Sequence, residues 1–132
     1  MKAASGSIID CTLDSTTVID TLRGKQPAYP LPTRFSQPAL SHVALGELLL
    51  GVLQNTNPQE LTRTLRVIRG MTLLHGDGNT AVIYAGLRRD LERKGKMIPQ
   101  NDLWIAAASI QADVPLITRD QHFRRISQLK LG

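Results

Sequence analysis

Short apolar, β-rich runs alternate along this chain with longer stretches whose apolar residues recur every three or four positions. Ser7 to Leu13 is the first such run and predicts a strand ending at Asp14. Ser15 and Thr16 suit the cap of a helix over 17–23, closed by Gly24. Lys25 to Pro38 contains Pro27, Pro30, Pro32 and Pro38 and predicts a long extended segment. Ala39 to Val43 reads as a second strand, and Ala44 to Leu53 as a helix that includes Glu47. Pro58 then opens a helix over 59–69, in which Leu61, Leu65 and Ile68 share one face and Arg63, Arg66 and Arg69 another. Met71 to Leu74 is a third apolar strand, and His75 to Gly78 a turn. Helices over 79–94 and 102–111 follow, then a strand over 114–117. Ile126 to Leu131 predicts a final edge strand. Strands alternating with helices argue for an α/β fold around a mostly parallel sheet. No repeat or internal boundary interrupts residues 8–131, which form one domain behind a small polar tail at 1–7.

The totals narrow this picture without changing it. With 132 residues and 42% hydrophobic content, the chain is long enough for one self-supporting core. The single cysteine, Cys11, excludes an intrachain disulfide and a cysteine-based zinc site, and suits a reducing cytoplasm. No apolar run approaches the ~18 residues of a membrane span, and the N-terminus lacks the apolar core of a secretory signal. The net charge of +5 suits a polyanionic partner such as nucleic acid, or simply a basic soluble protein.

The positions of four acids carry more chemistry. Asp14 and Asp120 each follow an apolar strand, where active sites of open α/β sheets gather. Asp102 stands at a helix start, and Glu47 lies among Leu45, Leu48, Leu49 and Leu50. Carboxylates brought together repel, and a divalent cation with oxygen preference relieves that conflict. A cation held this way activates water and stabilises charge developing on a phosphate, so metal-assisted phosphodiester hydrolysis fits such a cluster. Each acid also has a plain structural explanation: Asp14 as a cap, Asp102 as a residue favoured by the helix dipole, Asp120 as a turn residue, Glu47 as surface. Asp10, four residues before Asp14, competes as the first acid.

Four segments in order resemble the motifs of PIN-domain ribonucleases of the VapC toxin type. They are Leu13 to Gly24, Leu45 to Gly51, Ile98 to Ala108 and Leu116 to Phe123, and the third is the most specific. The resemblance spans about residues 8 to 131. It implies a three-layer α/β/α sandwich and an endoribonuclease dependent on Mg²⁺ or Mn²⁺. Asp14 and Asp102 would be the principal ligands, with Glu47 and Asp120 completing the pocket through water or a second ion, and Thr16 and Asn101 in support. It also implies a VapB-like antitoxin, a homodimer, and transfer or ribosomal RNA as substrate. Two features depart from the pattern. Thr16 stands where many relatives carry Asn, though its hydroxyl retains hydrogen-bonding capacity. The proline-rich stretch differs from the helical hairpin common there.

Arg88, Arg89, Arg93, Lys94 and Lys96 form either a phosphate-tracking patch or a solvated helix end. Arg119, beside Asp120, is a further candidate phosphate contact. His42, His75 and His122 show no metal-ligand spacing and read as core or surface, and Trp104 as core or dimer interface. Two other functions share acids at strand ends. A phosphotransfer module of receiver or haloacid-dehalogenase type lacks its diagnostic partners here, since Thr16 replaces the second Asp of the latter. A non-catalytic RNA-binding scaffold would not require all four acids.

Overall fold

The computed structural model describes residues 8–22 and 36–132. The expected polar tail and most of the proline-rich stretch lie outside the described residues. Strands β1 (Cys11–Leu13), β2 (Pro38–Ser41), β3 (Thr72–Leu74) and β4 (Leu116–Ile117) form one sheet in the order β3-β2-β1-β4. Every pairing is parallel, with Leu13 beside Leu40 on one side and Ile117 on the other. Helices α1 (Ser15–Leu22), α2 (His42–Leu53), α3 (Gln59–Ile68), α4 (Gly78–Lys94) and α5 (Gln100–Ala112) fill the connections.

Consecutive strand residues point to opposite faces, so burial of all of Cys11, Thr12 and Leu13 means that both faces of β1 are covered. Leu40 and Ala39, on opposite faces of β2, accordingly belong to two separate apolar clusters. This is the three-layer arrangement that the alternating pattern predicts. The chain steps from β1 to β2 to β3 in one direction, then returns past β1 to β4. That reversal opens a crevice at the carboxyl ends of β1 and β4, where Asp14 and Asp120 are found.

Several expected boundaries move for local reasons. The second strand stops at Ser41 because its side chain accepts from the Ala44 backbone N–H and caps α2, which takes His42 and Val43 into the helix. α5 begins at Gln100 rather than Asp102, which places Asp102 in its first turn. The face of α3 that turns inward holds Thr64 and Ile68, whereas Leu61 and Leu65 are exposed. The expected final strand is not formed. A 3₁₀ turn over Gln121–Arg125 replaces its approach, and only Leu131 makes an isolated bridge to Leu116.

Candidate metal-binding active site

Asp14 is 5% exposed and acts as the N-terminal cap of α1. Its Oδ1 accepts from the Thr17 backbone N–H at 2.9 Å and from Thr17 Oγ1 at 2.6 Å. Its Oδ2 accepts from Thr118 Oγ1, which in turn accepts from the Asp120 backbone N–H at 3.0 Å. One threonine therefore ties the acid after β1 to the acid after β4. Thr17 Oγ1 also reaches the Ile117 carbonyl at 3.0 Å. The parallel register of β1 and β4 aligns their ends so that these short side chains meet.

Glu47 enters from α2. Its Oε1 accepts from Ser15 Oγ at 3.4 Å and its Oε2 from Asn101 Nδ2 at 3.3 Å. The acid thus reaches residues beside Asp14 and beside Asp102. Glu47 is partly buried, while Leu50 and Leu53 of the same helix are 58% and 71% exposed. The acid among leucines turns toward the polar cleft, and two leucines face solvent in its stead.

Asp102 is carried by α5, whose placement is fixed two turns further on. There Ser109 Oγ shares a 2.6 Å buried hydrogen bond with Thr12 Oγ1 of β1. Burial pushes the Asp102 carboxyl up from 3.8 to about 6, with Asp120, Glu47 and then Asp14 adding their charges and His122 opposing them. Asp14, Glu47 and Asp120 thus lie within electrostatic range of Asp102, while among the described residues the one group with donor atoms all within 4.8 Å of one another is Asp102, Asp120 and His122. His122 completes the group: its Nδ1 lies 3.3 Å from Asp120 Oδ1 and 3.9 Å from Asp102 Oδ2.

The PIN-domain family model matches residues 11–129. The chain belongs to the PIN-domain family. It is 36% identical over 116 residues to Ribonuclease VapC5 of Mycobacterium tuberculosis, covering 84% of this chain and 83% of that protein. It is 30% identical over 105 residues to Ribonuclease VapC4 of the same organism, covering 76% and 81%. Among solved structures it is similar to VapBC2 from Rickettsia felis bound to a DNA fragment from their promoter. That match has a TM-score of 0.84 and 25% identity, and covers 94% of this chain and 98% of that one.

Within this PIN domain, Asp10 and Asp14 occupy opposite ends of β1. Asp10 precedes β1 and uses both carboxylate oxygens to hold the backbone N–H groups of Ser36 and Gln37, at 2.8 and 3.0 Å. It fastens the start of β1 to the approach of β2, at the end away from the other acids. Asn101 contacts Glu47 as a supporting residue would. Among the described residues, hydroxyls of Ser15, Thr17 and Thr118 meet Glu47 and Asp14, with Thr16 between the first two on α1.

Arg119 is half exposed and pairs with Asp20. Its Nη2 donates to Asp20 Oδ1 at 3.2 Å, and its Nε lies 3.1 Å from Oδ2 as an ion-pair contact without a second hydrogen bond. Asp20, buried on α1, lies within the first motif segment, but a single acid inside a helix carries no spacing that marks a role. Pairing with Arg119 ties α1 to the loop that carries Thr118 and Asp120. The basic end of α4 is also partly neutralised. Arg88 pairs with Glu92 at 2.7 Å and Lys94 with Asp90 at 3.0 Å, while Arg89 and Arg93 are exposed. Trp104 stacks on Tyr84 of α4 at 3.8 Å between ring centres. A cavity of about 260 Å³ lined by His42, His75, Trp104 and Gln111 lies apart from the acids, none of which lines it.

The donor set suits a divalent cation. Asp102, Asp120 and His122 each offer an atom within 4.8 Å of the others. The buried Nδ1 of His122 has no hydrogen-bond partner, and Asp102 is raised first by burial and then by the charges of Asp120 and Glu47.

Proposed function

We propose that this protein is a Mg²⁺- or Mn²⁺-dependent endoribonuclease, the toxin of a toxin–antitoxin pair, hydrolysing phosphodiester bonds in a structured RNA. The observation that supports this reading is the convergence of Asp14, Glu47, Asp102 and Asp120 at the crevice beyond β1 and β4. The ribonuclease names of VapC5 and VapC4 agree with it. Asp14 and Asp102 would hold the ion directly, and Glu47 and Asp120 would complete its shell. A bound ion supplies charge for the scissile phosphate and a more nucleophilic water.

The chain's own residues prepare that step. Thr17 and Thr118 fix both oxygens of Asp14, so its orientation is set before substrate arrives. Ser15 and Asn101 hold Glu47 against the cleft. A cation beside Asp102 would oppose the burial and the neighbouring charges that raise its carboxyl. Arg89 and Arg93 remain exposed for RNA phosphates. A VapB-like antitoxin is the expected partner, and exposed Leu50, Leu53, Leu61 and Leu65 on α2 and α3 offer it apolar surface. A homodimer and a cytoplasmic setting complete the reading. Among the described residues no helix is long and apolar enough to cross a membrane.

The test is cleavage of purified transfer and ribosomal RNA by the antitoxin-free protein, with Mg²⁺ or Mn²⁺, with EDTA, and with Asp14→Asn. Asparagine retains the capping ability of aspartate, so this variant isolates the charge. Discrete cuts that require both the metal and Asp14 are expected. Cuts that persist in EDTA or in the variant would refute the proposed role.

A further inference from the structure

We propose that His122 is a nitrogen ligand of the cation in this site and that it biases the site toward manganese over magnesium. The inference rests on the metal-dependent nuclease reading above and assigns a role to a residue outside the four acids. The imidazole stands beside Asp102 and Asp120. Its Nδ1 lies 3.3 Å from Asp120 Oδ1 and 3.9 Å from Asp102 Oδ2, and neither contact is a hydrogen bond. Nδ1 is buried although the side chain as a whole is 45% exposed. The ring therefore turns one nitrogen inward, toward carboxylates, and leaves it without a partner. Buried nitrogens of this kind are ordinarily satisfied, and a cation shared with the two carboxylates would satisfy this one. The three donor atoms lie within 4.8 Å of one another, close enough for ligands ~2.1–2.3 Å from a common ion.

The backbone holds the ring there. The His122 N–H donates to Asp120 Oδ1 at 2.9 Å, capping the 3₁₀ turn, and the next residue, Phe123, is anchored in the core at 1% exposure. Asp120 thus positions the histidine as well as offering its own oxygens. Loss of Asp120 would disturb two ligands at once.

The choice of metal follows from donor chemistry. Magnesium strongly prefers oxygen and tolerates imidazole poorly, whereas manganese accepts mixed oxygen and nitrogen shells. Four carboxylates alone would not discriminate in this way. A nitrogen among them shifts preference toward the transition metal.

The experiment is binding of Mn²⁺ to the full chain, followed by electron paramagnetic resonance, with electron spin-echo modulation to detect nitrogen on the bound ion. Wild-type protein should show ¹⁴N coupling that changes to ¹⁵N coupling when its histidines are ¹⁵N-labelled. His122→Asn should remove the coupling and weaken Mn²⁺ by roughly tenfold or more. Mg²⁺ affinity, measured by competition, should change much less, and His75→Asn should leave the coupling intact. Bound Mn²⁺ without nitrogen coupling in the wild type would overturn the assignment and leave the nuclease reading standing. So would coupling that survives in His122→Asn. An equal loss of Mg²⁺ and Mn²⁺ affinity in His122→Asn would overturn the selectivity. Failure of the wild type to bind Mn²⁺ at all would overturn both readings together.

Discussion

Replacing Asp102 with asparagine should stabilise the metal-free protein at neutral and alkaline pH while removing its capacity to hold a cation. The carboxyl titrates at about 6 in the fold against an ordinary 3.8, chiefly because burial disfavours its charged form. At ~1.4 kcal/mol per unit, this corresponds to about 3 kcal/mol. The sign follows from linkage. Between the two values the folded state binds more protons than the unfolded state, so stability falls as pH rises through that window. Above about 6 the penalty is complete; below 3.8 it vanishes. Asparagine cannot ionise and escapes the penalty, but it gives up a favourable charge in the first turn of α5, which offsets about 0.5 kcal/mol. The expected net gain for Asp102→Asn at pH 8 is about 2 kcal/mol, a large share of the ~5–15 kcal/mol typical of a domain. The assay is urea denaturation in EDTA at several pH values from 4 to 8, comparing the variant with the wild type. The gap should open between about pH 4 and 6 and then stay level. Saturating Mn²⁺ should raise the stability of the wild type and leave the variant unmoved. A gap that is independent of pH, or a variant less stable than wild type at pH 8, would refute the reasoning.

Arg119→Ala should strand the buried carboxylate of Asp20, whose side chain is 3% exposed against 50% for Arg119. Because the arginine is half in solvent, a loss of about 2 kcal/mol in urea denaturation is expected, below the ~3–5 kcal/mol of a fully buried pair. Asp20→Asn combined with Arg119→Ala should recover part of it, and an unchanged midpoint for Arg119→Ala would disprove the clamp. Cys11 is buried in β1, and burial, with the Asp10 charge and hydrogen bond adding, pushes its thiol up to about 12. A thiol reagent at pH 8 should therefore label it only as fast as the protein unfolds. Labelling of native protein at the rate of a free thiol would contradict that placement.

The order of strands and helices and the parallel sheet were readable from the chain, because they rest on local signals. Runs such as Leu116-Ile117 admit little besides a buried strand, and Asp14, Asp102 and Asp120 fall where strands end or helices begin. Periodicity in α3 was less reliable. Leu61, Leu65 and Ile68 share a face by spacing, yet Thr64 and Ile68 are the residues packed inward. A pattern identifies an apolar face but not the angle at which the helix meets its neighbours.

The tertiary structure alone decided which side chains meet. Thr118 reaches Asp14 across more than a hundred residues, Arg119 pairs with Asp20, and His122 turns one nitrogen toward Asp102 and Asp120. None of these has a spacing to recognise, because each contact joins elements that only the sheet brings together. The motif after Asp14 favoured it over Asp10, and the structure sets the two at opposite ends of β1. The sequence supplied the residue types and the element ends on which they sit. Burial, register and the return of the chain past β1 converted them into one charged site, since electrostatic coupling depends on distance through space and not on separation along the chain.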